Sequence, residues 1–568
     1  MKELKKYLKV IPFMPVLLLV LAGCKKEKID SGYDNRSITD ARRSSSVRII
    51  NLADYNQVQA NGDTLTNYVV RQPNDPMGSA FPGTVYFPEK GRLETTWNIQ
   101  QNFFKNGTAK LLVEHVAYQM QKDPLQLEVK EDTQPADYYL LPTQAYAQVT
   151  GQPAFVRVPR SVAAAANPSH FKVRILNLSA TVMPEQGMES INGPMSLAWA
   201  DGTLVSNQTN NILPGQYSDY IELPYTTAQL KVLTPNGIQV PGFGDSQILN
   251  PSTSTIEGLT LTYVPLKTYV PGGVYTIVVA AREFVIPYRS SNNGETVKGY
   301  QNSLRVINDV NEPVNLTYGR IQAVNTIPGA NGMKVLVNGK ILGAPINYTA
   351  QTAYEPFITG DYKIEATDAS GAVIAGNSLK LGANTNFTLW VHPDANGKTT
   401  ISAVANDLSG TLFSGGGSGG DDATYSRYKA GFPFNIRFLN LCPDMSYLTL
   451  TTNNAQDFPS PYGFNTDAVK NLMPGMFPVE SPYVRASYDA KPYQIMAFRS
   501  SPTVFPGTWA SDIPIVNSKD LIARPELYVR GDLPNQEPGF YTIALVGSTS
   551  PSAPADKKAK MIIVKHSK

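Results

Sequence analysis

The sequence predicts an all-β protein: tandem immunoglobulin-like antiparallel β-sandwich domains behind a cleaved N-terminal signal. Three observations lead there. Charged residues make up only 17% of the chain, while Gly and Pro each number 43 and Tyr 30, a turn-rich and aromatic composition. A six-residue strand-like phrase recurs at domain-sized intervals. Helical periodicity is scarce, and short apolar or alternating runs between Gly, Pro and Asn clusters dominate.

The N-terminus comes first. Lys2, Lys5, Lys6 and Lys9 precede the apolar stretch Val10 to Ala22. That stretch is too short to span a bilayer and suits the core of a signal peptide. It ends in Leu21-Ala22-Gly23-Cys24, small residues running into a cysteine. This resembles a bacterial lipoprotein signal, which implies cleavage before Cys24 and lipid attachment at Cys24. Stable anchoring takes more than one acyl chain, at about 0.8 kcal/mol per buried methylene. The alternative is an ordinary secretory signal with a chance cysteine.

Cleavage changes the charge balance. The chain holds 49 Lys+Arg and 46 Asp+Glu, and residues 1–23 contain four Lys and one Glu, so 45 of each remain. A chain with no net side-chain charge lacks the basic footprint of a nucleic-acid binder. The expected membrane partner is therefore reached through lipidated Cys24 and not through surface charge. Cys442 is the only other cysteine, so each domain rests on its apolar core.

The recurring phrase reads Val47-Arg48-Ile49-Ile50-Asn51-Leu52, then Val173-Arg174-Ile175-Leu176-Asn177-Leu178, and later Ile436-Arg437-Phe438-Leu439-Asn440-Leu441. A weaker copy is Ile321-Gln322-Ala323-Val324-Asn325-Thr326. The copies stand roughly 115–150 residues apart, the size of a domain and not of a solenoid repeat. Turn pairs follow each phrase: Asn61-Gly62, Asp201-Gly202, Asn338-Gly339 and Asn453-Asn454, residues that accept the positive φ of hairpin turns. Each unit then offers an aromatic-led strand (Tyr138-Leu140, Tyr275-Val278, Phe387-Trp390, Tyr541-Ala544) and a closing strand (Phe155-Val158, Leu304-Ile307, Ile401-Val404, Met561-Val564). The natural closure of such units is a two-sheet sandwich, each expected to fold on its own core.

The expected organisation is a signal peptide at 1–23, a polar disordered tether at 24–45, sandwiches at 46–160, 171–310 and 319–413, a Gly/Ser linker at 414–432, and a fourth sandwich with a long insertion at 433–568. The lysines and glutamate after Cys24 read equally as a surface-export tract of Bacteroidetes-type lipoproteins or as a solvated spacer. The third unit, with Arg320-Ile321, Val337-Asn338-Gly339, Gly360-Asp361-Tyr362 and Phe387-Thr388-Leu389, resembles the domain-of-unknown-function 4397 family, repeated β-sandwich modules of secreted and anchored proteins. The second unit is similar, and the first and fourth depart through insertions. The resemblance implies a fold and an extracytoplasmic setting, and no activity.

No catalytic constellation stands out. Gly415-x-Gly417-x-x-Gly420 lacks the strand and helix a dinucleotide loop requires. His115, His170, His392 and His566 are scattered, without the spacing of a zinc site, and Asp421-Asp422 falls short of a calcium shell. No metal, cofactor or enzymatic activity is expected. Aromatic residues in the insertions are the candidate ligand contacts, because flat rings stack on sugar faces: Trp509, Phe505, Tyr462 and Tyr483 in the fourth unit and Trp97 in the first. The alternative is that these rings plug their own loops. The expected function is a membrane-anchored, outer-membrane, non-catalytic binding or adhesion lipoprotein with a glycan or an envelope protein as partner. The alternatives are a structural subunit of a surface assembly, fimbria-like or part of a transport complex, and thirdly a hydrolase.

Overall fold

A computed structural model of the 568-residue chain describes residues 43–67, 83–88, 90–117, 120–121, 124–142, 149–150, 152–182, 191–242, 266–287, 296–311, 313–408, 434–458, 468–478, 482–485, 492–524, 537 and 539–568. The signal peptide, Cys24, the tether up to residue 42, the Gly/Ser linker and Tyr462 lie outside these residues; the last tether residues expected to be disordered, Ser44 and Ser45, instead belong to the first strand, Ser44–Asn51, which begins before the apolar phrase.

The described chain is β-structured throughout and contains four sandwich units. Each unit has a four-stranded first sheet built to one plan. In chain order the opening strands are Ser44–Asn51, His170–Leu178, Tyr318–Asn325 and Phe434–Asn440. Each pairs in parallel with an aromatic-led strand: Ala136–Leu140, Val274–Pro287, Asn386–Pro393 or Gly539–Val546. The closing strands, Phe155–Pro159, Thr296–Asn308, Thr399–Ala405 and Lys560–Lys565, add antiparallel to these. The sandwiches are thus antiparallel apart from one parallel pair per unit, which joins the first strand to a late one. The hairpin of the second unit runs well past its expected ends, to Val274–Pro287 and Thr296–Asn308.

The second sheets are more varied. In the third unit the order is Lys340–Ile341, Lys334–Val337, Gly360–Thr367, Val373–Leu381. Asn338 and Gly339 occupy its turn with φ of 48° and 79°, a two-residue hairpin in the left-handed region. The fourth unit's second sheet is Leu448–Thr452, Gln494–Ser501 and Val504–Trp509, with the short strand Val516–Asn517 also paired to Gln494–Ser501.

The phrase explains the architecture. Its first and third residues point into the sandwich: Val47 and Ile49, Val173 and Ile175, Ile321 and Ala323, Ile436 and Phe438 each sit in their own unit's core. The Asn stands on that same inward face and pins the following loop. Asn440 Nδ2 donates to the Met445 and Leu472 carbonyls at 2.7 and 2.9 Å, and its Oδ1 accepts from Cys442 N at 3.1 Å. Asn177 and Asn325 each make three comparable bonds. Asn51 closes a smaller loop onto Tyr55 N and O.

The even positions of the phrase point the other way and are not wet. Ile50 and Leu52 of the first unit meet Leu176 and Leu178 of the second in one buried cluster with Tyr139, Val278 and Ala280. Val324 and Trp390 of the third unit likewise meet Leu439, Leu441 and Ala544 of the fourth. The units therefore pack back to back in two pairs. That is why these strands are apolar on both faces, as strands covered on both sides must be.

A polar patch interrupts each junction. Arg48 and Arg160 grip Asp137 in the first (2.7–2.9 Å). In the second, Gln322 and Asn406 both donate to Thr388 Oγ1 at 2.8 Å, Arg437 donates to Asn406 Oδ1, and His566 meets Thr542 Oγ1 at 2.7 Å. The pairs also touch each other. Arg320 Nη2 donates to Thr227 Oγ1 of the second unit at 2.8 Å, Lys568 N donates to the Thr227 carbonyl, and Gln229 N donates to the Lys568 carbonyl.

Candidate functional site

The hairpin Gln494–Ser501/Val504–Trp509 carries the exposed rings of the fourth unit. Val504–Trp509 is an edge strand. Phe505 is 51% exposed and Trp509 46% exposed, with Val504 exposed beside them. Trp509 stands opposite Phe498 in the register, and cross-strand partners project from the same face. Phe498 is buried, whereas Trp509 is left about half in water. Between the two rings the strand bulges. Gly507, at φ 88°, lies so close to the Arg499 carbonyl that a side chain would collide with it. A glycine is required there for backbone conformation and space together.

Charge surrounds these rings. Lys470 Nζ lies 5.6 Å from the Phe505 ring centre, within cation–π reach. Arg499 holds Asp512 through two 2.7 Å bonds, which raise the guanidinium's pKa and lower that of the carboxyl. The edge thus offers two flat apolar surfaces with hydrogen-bonding groups near them.

Two of the rings expected at ligand sites are structural. Trp97 is 4% exposed, on Thr96–Gln100, packed 5.7 Å from Phe87 in the first unit's core. It faces inward because its strand pairs with the opening strand, Ile49 against Trp97, and both project into the sandwich. Tyr483 is 5% exposed. It pairs with Arg437 in the register, the guanidinium stacks 4.5 Å from its ring centre, and its hydroxyl accepts from Asp407 N. Burial pushes its phenol pKa up. Neither ring presents a face to a ligand. Trp390 is fully buried in the junction of the third and fourth units, and Trp199 is capped by Lys568 Nζ at 4.0 Å.

Elsewhere the chemistry is muted. Cys442 is buried and donates to Asp444 Oδ1 at 2.8 Å, and burial raises its pKa, the opposite of an activated thiol. Among the described residues no three His, Cys, Asp or Glu side chains stand together as a metal site. A broad depression of about 700 Å³ lies on the first unit's second sheet, lined by Gln59, Lys105, Lys110, Gln126 and Glu128 among others. Among the described residues that line it, Glu128 is the one acid. The buried polar junctions escaped the reading of the sequence. Their signal is an arginine three residues before the Asn in three of the four phrases, a charge inside an apolar strand.

Comparison with known proteins adds a family and a neighbour. A family model described as "Domain of unknown function (DUF4397)" matches residues 319–413, the third sandwich. No curated protein matches the chain. Among solved structures, one described as "Alpha-glucan recognition by family 41 carbohydrate-binding modules from streptococcal virulence factors" is similar at 11% identity and a TM-score of 0.13, covering 43% of this chain and 96% of that one.

Proposed function

We propose that this chain is a non-catalytic binding protein, tethered to the outer membrane of a bacterial envelope through lipidated Cys24, and that the edge Val504–Trp509 contacts its ligand. The observation that carries the reading is the exposure of Phe505 and Trp509 on one short edge strand, while Trp97 and Tyr483 are consumed by packing. Large rings left half in water on an ordered hairpin favour a partner with flat apolar faces and hydroxyls, which is the chemistry of a glycan. Lys470, Arg499 and Asp512 supply polar contacts beside them. A glycan-array screen of the chain from residue 25 onward tests it: binding that falls at least fivefold in Trp509→Ala supports the reading. An array without hits, or hits indifferent to Trp509→Ala, refutes it.

A second reading rests on the third unit. Val373–Leu381 is nine residues long and ends its sheet. It lacks proline, and Val373 is 61% exposed. A long edge strand suits strand-addition assembly, as in a structural surface subunit. Concentration-dependent oligomers abolished by a proline at Ser378 would favour this reading.

A further inference from the structure

The junction between the first and second units buries more positive than negative charge. Five ionisable side chains meet at one end of it, all under one-tenth exposed: Arg48, Arg160, Arg174, Asp137 and Asp309; buried Arg282, farther along the junction, has its own partner in Asp54. Three guanidiniums face two carboxylates. Arg48 and Arg160 account for Asp137, and Arg48 also reaches Asp309 at 3.3 Å. Asp309 Oδ2 further accepts from Thr276 Oγ1 at 2.6 Å and Tyr220 Oη at 2.8 Å. Arg174 is joined to this system only through Thr276 Oγ1, which accepts from its Nε at 2.9 Å. Its guanidinium lies 5.1 Å from the Tyr217 ring centre and 4.6 Å from that of Tyr220. Stacking solvates the faces of the cation but leaves Nη2 on its edge without a hydrogen-bond partner.

Two donors are left over at this end of the junction. Arg174 Nη2 and Tyr139 Oη are buried without a hydrogen-bond partner, on residues that are 2% and 0% exposed. Tyr139 belongs to the first unit and Arg174 to the second, and both point into the shared face. The Arg174 charge acts on the Tyr139 hydroxyl, opposing the rise that burial imposes on it. An unpaired buried donor costs about 1–3 kcal/mol and an unpaired buried cation more, so two such donors beside an excess cation point to an occupant.

The arrangement recurs. By register, Trp390 in the third unit stands where Tyr139 stands in the first: Val324 pairs with Trp390 and Ile50 with Tyr139, each one residue before its phrase Asn. Arg437 in the fourth unit is the counterpart of Arg174. In that second junction the unpartnered buried donors include Trp390 Nε1 and Arg437 Nε. An aromatic donor from one unit and an arginine N–H from its partner are thus left open twice.

We infer that the junction of the first and second units holds one small monovalent anion of the halide class, accepting from Arg174 Nη2 and Tyr139 Oη. A single negative charge there brings the five buried ionisable groups to neutrality and satisfies both donors. The test uses the full chain. Crystals grown in bromide should show an anomalous peak against Arg174 and Tyr139. In solution, replacing gluconate by chloride at constant ionic strength should raise the melting temperature by about 2–4 °C. Tyr139→Phe, which removes only the hydroxyl, should fold normally and shift the chloride midpoint upward at least threefold. A junction without bromide, or a melting temperature indifferent to the halide, overturns the inference. A halide effect that survives Tyr139→Phe unchanged places the ion elsewhere and overturns it as well.

Discussion

Replacing Asn440 by alanine should loosen the fourth unit more than the loss of one small surface-type side chain suggests. The residue is fully buried and makes three bonds to the loop that follows its strand. Alanine leaves Cys442 N and the Met445 carbonyl without these partners, while the Leu472 carbonyl keeps Leu448 N at 3.0 Å. Two orphaned buried groups at about 1–3 kcal/mol each give a loss of about 2–6 kcal/mol. Four units in one chain make a global unfolding free energy ill-defined, so the assay is hydrogen exchange of the amides in Gly539–Val546 and Leu448–Thr452. Asn440→Asp sharpens the test. It keeps an acceptor for Cys442 N but aims a carboxylate at two carbonyls. Its pKa in the folded state would rise above the unfolded value near 4. Stability relative to the parent should therefore be better at pH 4.5 than at pH 7.5, since protonation removes the repulsion. An Asn440→Ala change under about 1 kcal/mol, or an Asp variant insensitive to pH, would show that the Asn does not pin the loop.

Other outcomes follow from the same structure. Trp97→Ala should destabilise the first unit by about 3–5 kcal/mol, as buried large-to-small changes do, whereas Trp509→Ala should leave the thermal melt nearly unmoved; a calorimetric scan of both variants separates core ring from surface ring. His566, in the third–fourth junction, is pushed down to about 3 by burial, with the Arg437 charge adding to it. Its unfolded value is near 6.5, so the unfolded state binds the extra proton and stability drains away as pH falls from about 6.5 toward 3; His566→Gln should flatten that slope in melts taken across the range. Cys24→Ser should abolish acylation, and intact-mass measurement of membrane-extracted chain checks it, an unmodified Cys24 in the parent being the adverse result.

The opening strands were legible because their inward residues and their Asn are locally encoded: alternation marks the core face, and an Asn just before a loop marks its pin. The hairpin at Asn338-Gly339 was legible for the same reason, since only a few residue types accept its φ. What a sequence window does not carry is which way a ring faces once its strand has partners. Trp97 and Trp509 have similar neighbourhoods in the chain. One is paired beside Ile49 in the middle of a sandwich and the other lies on the last strand of a sheet. The outward residues of the phrase, Ile50, Leu176, Val324 and Leu439, looked like ordinary strand interior because the surface that covers each of them lies over a hundred residues away.

That covering surface sets a rule of arithmetic for this kind of chain. A lone third sandwich would turn Val324, Trp390 and Val404 out to water, and a lone first would do the same with Ile50, Leu52 and Tyr139. The smallest piece that can be copied, deleted or transplanted without baring a greasy wall is therefore the couple and not the single sandwich. Lengthening such a protein by one module leaves an odd face searching for company, while lengthening it by two does not. Ancestry by doubling would leave this signature: modules in even number, with each member of a couple shaped by its mate more than by the adjoining couple.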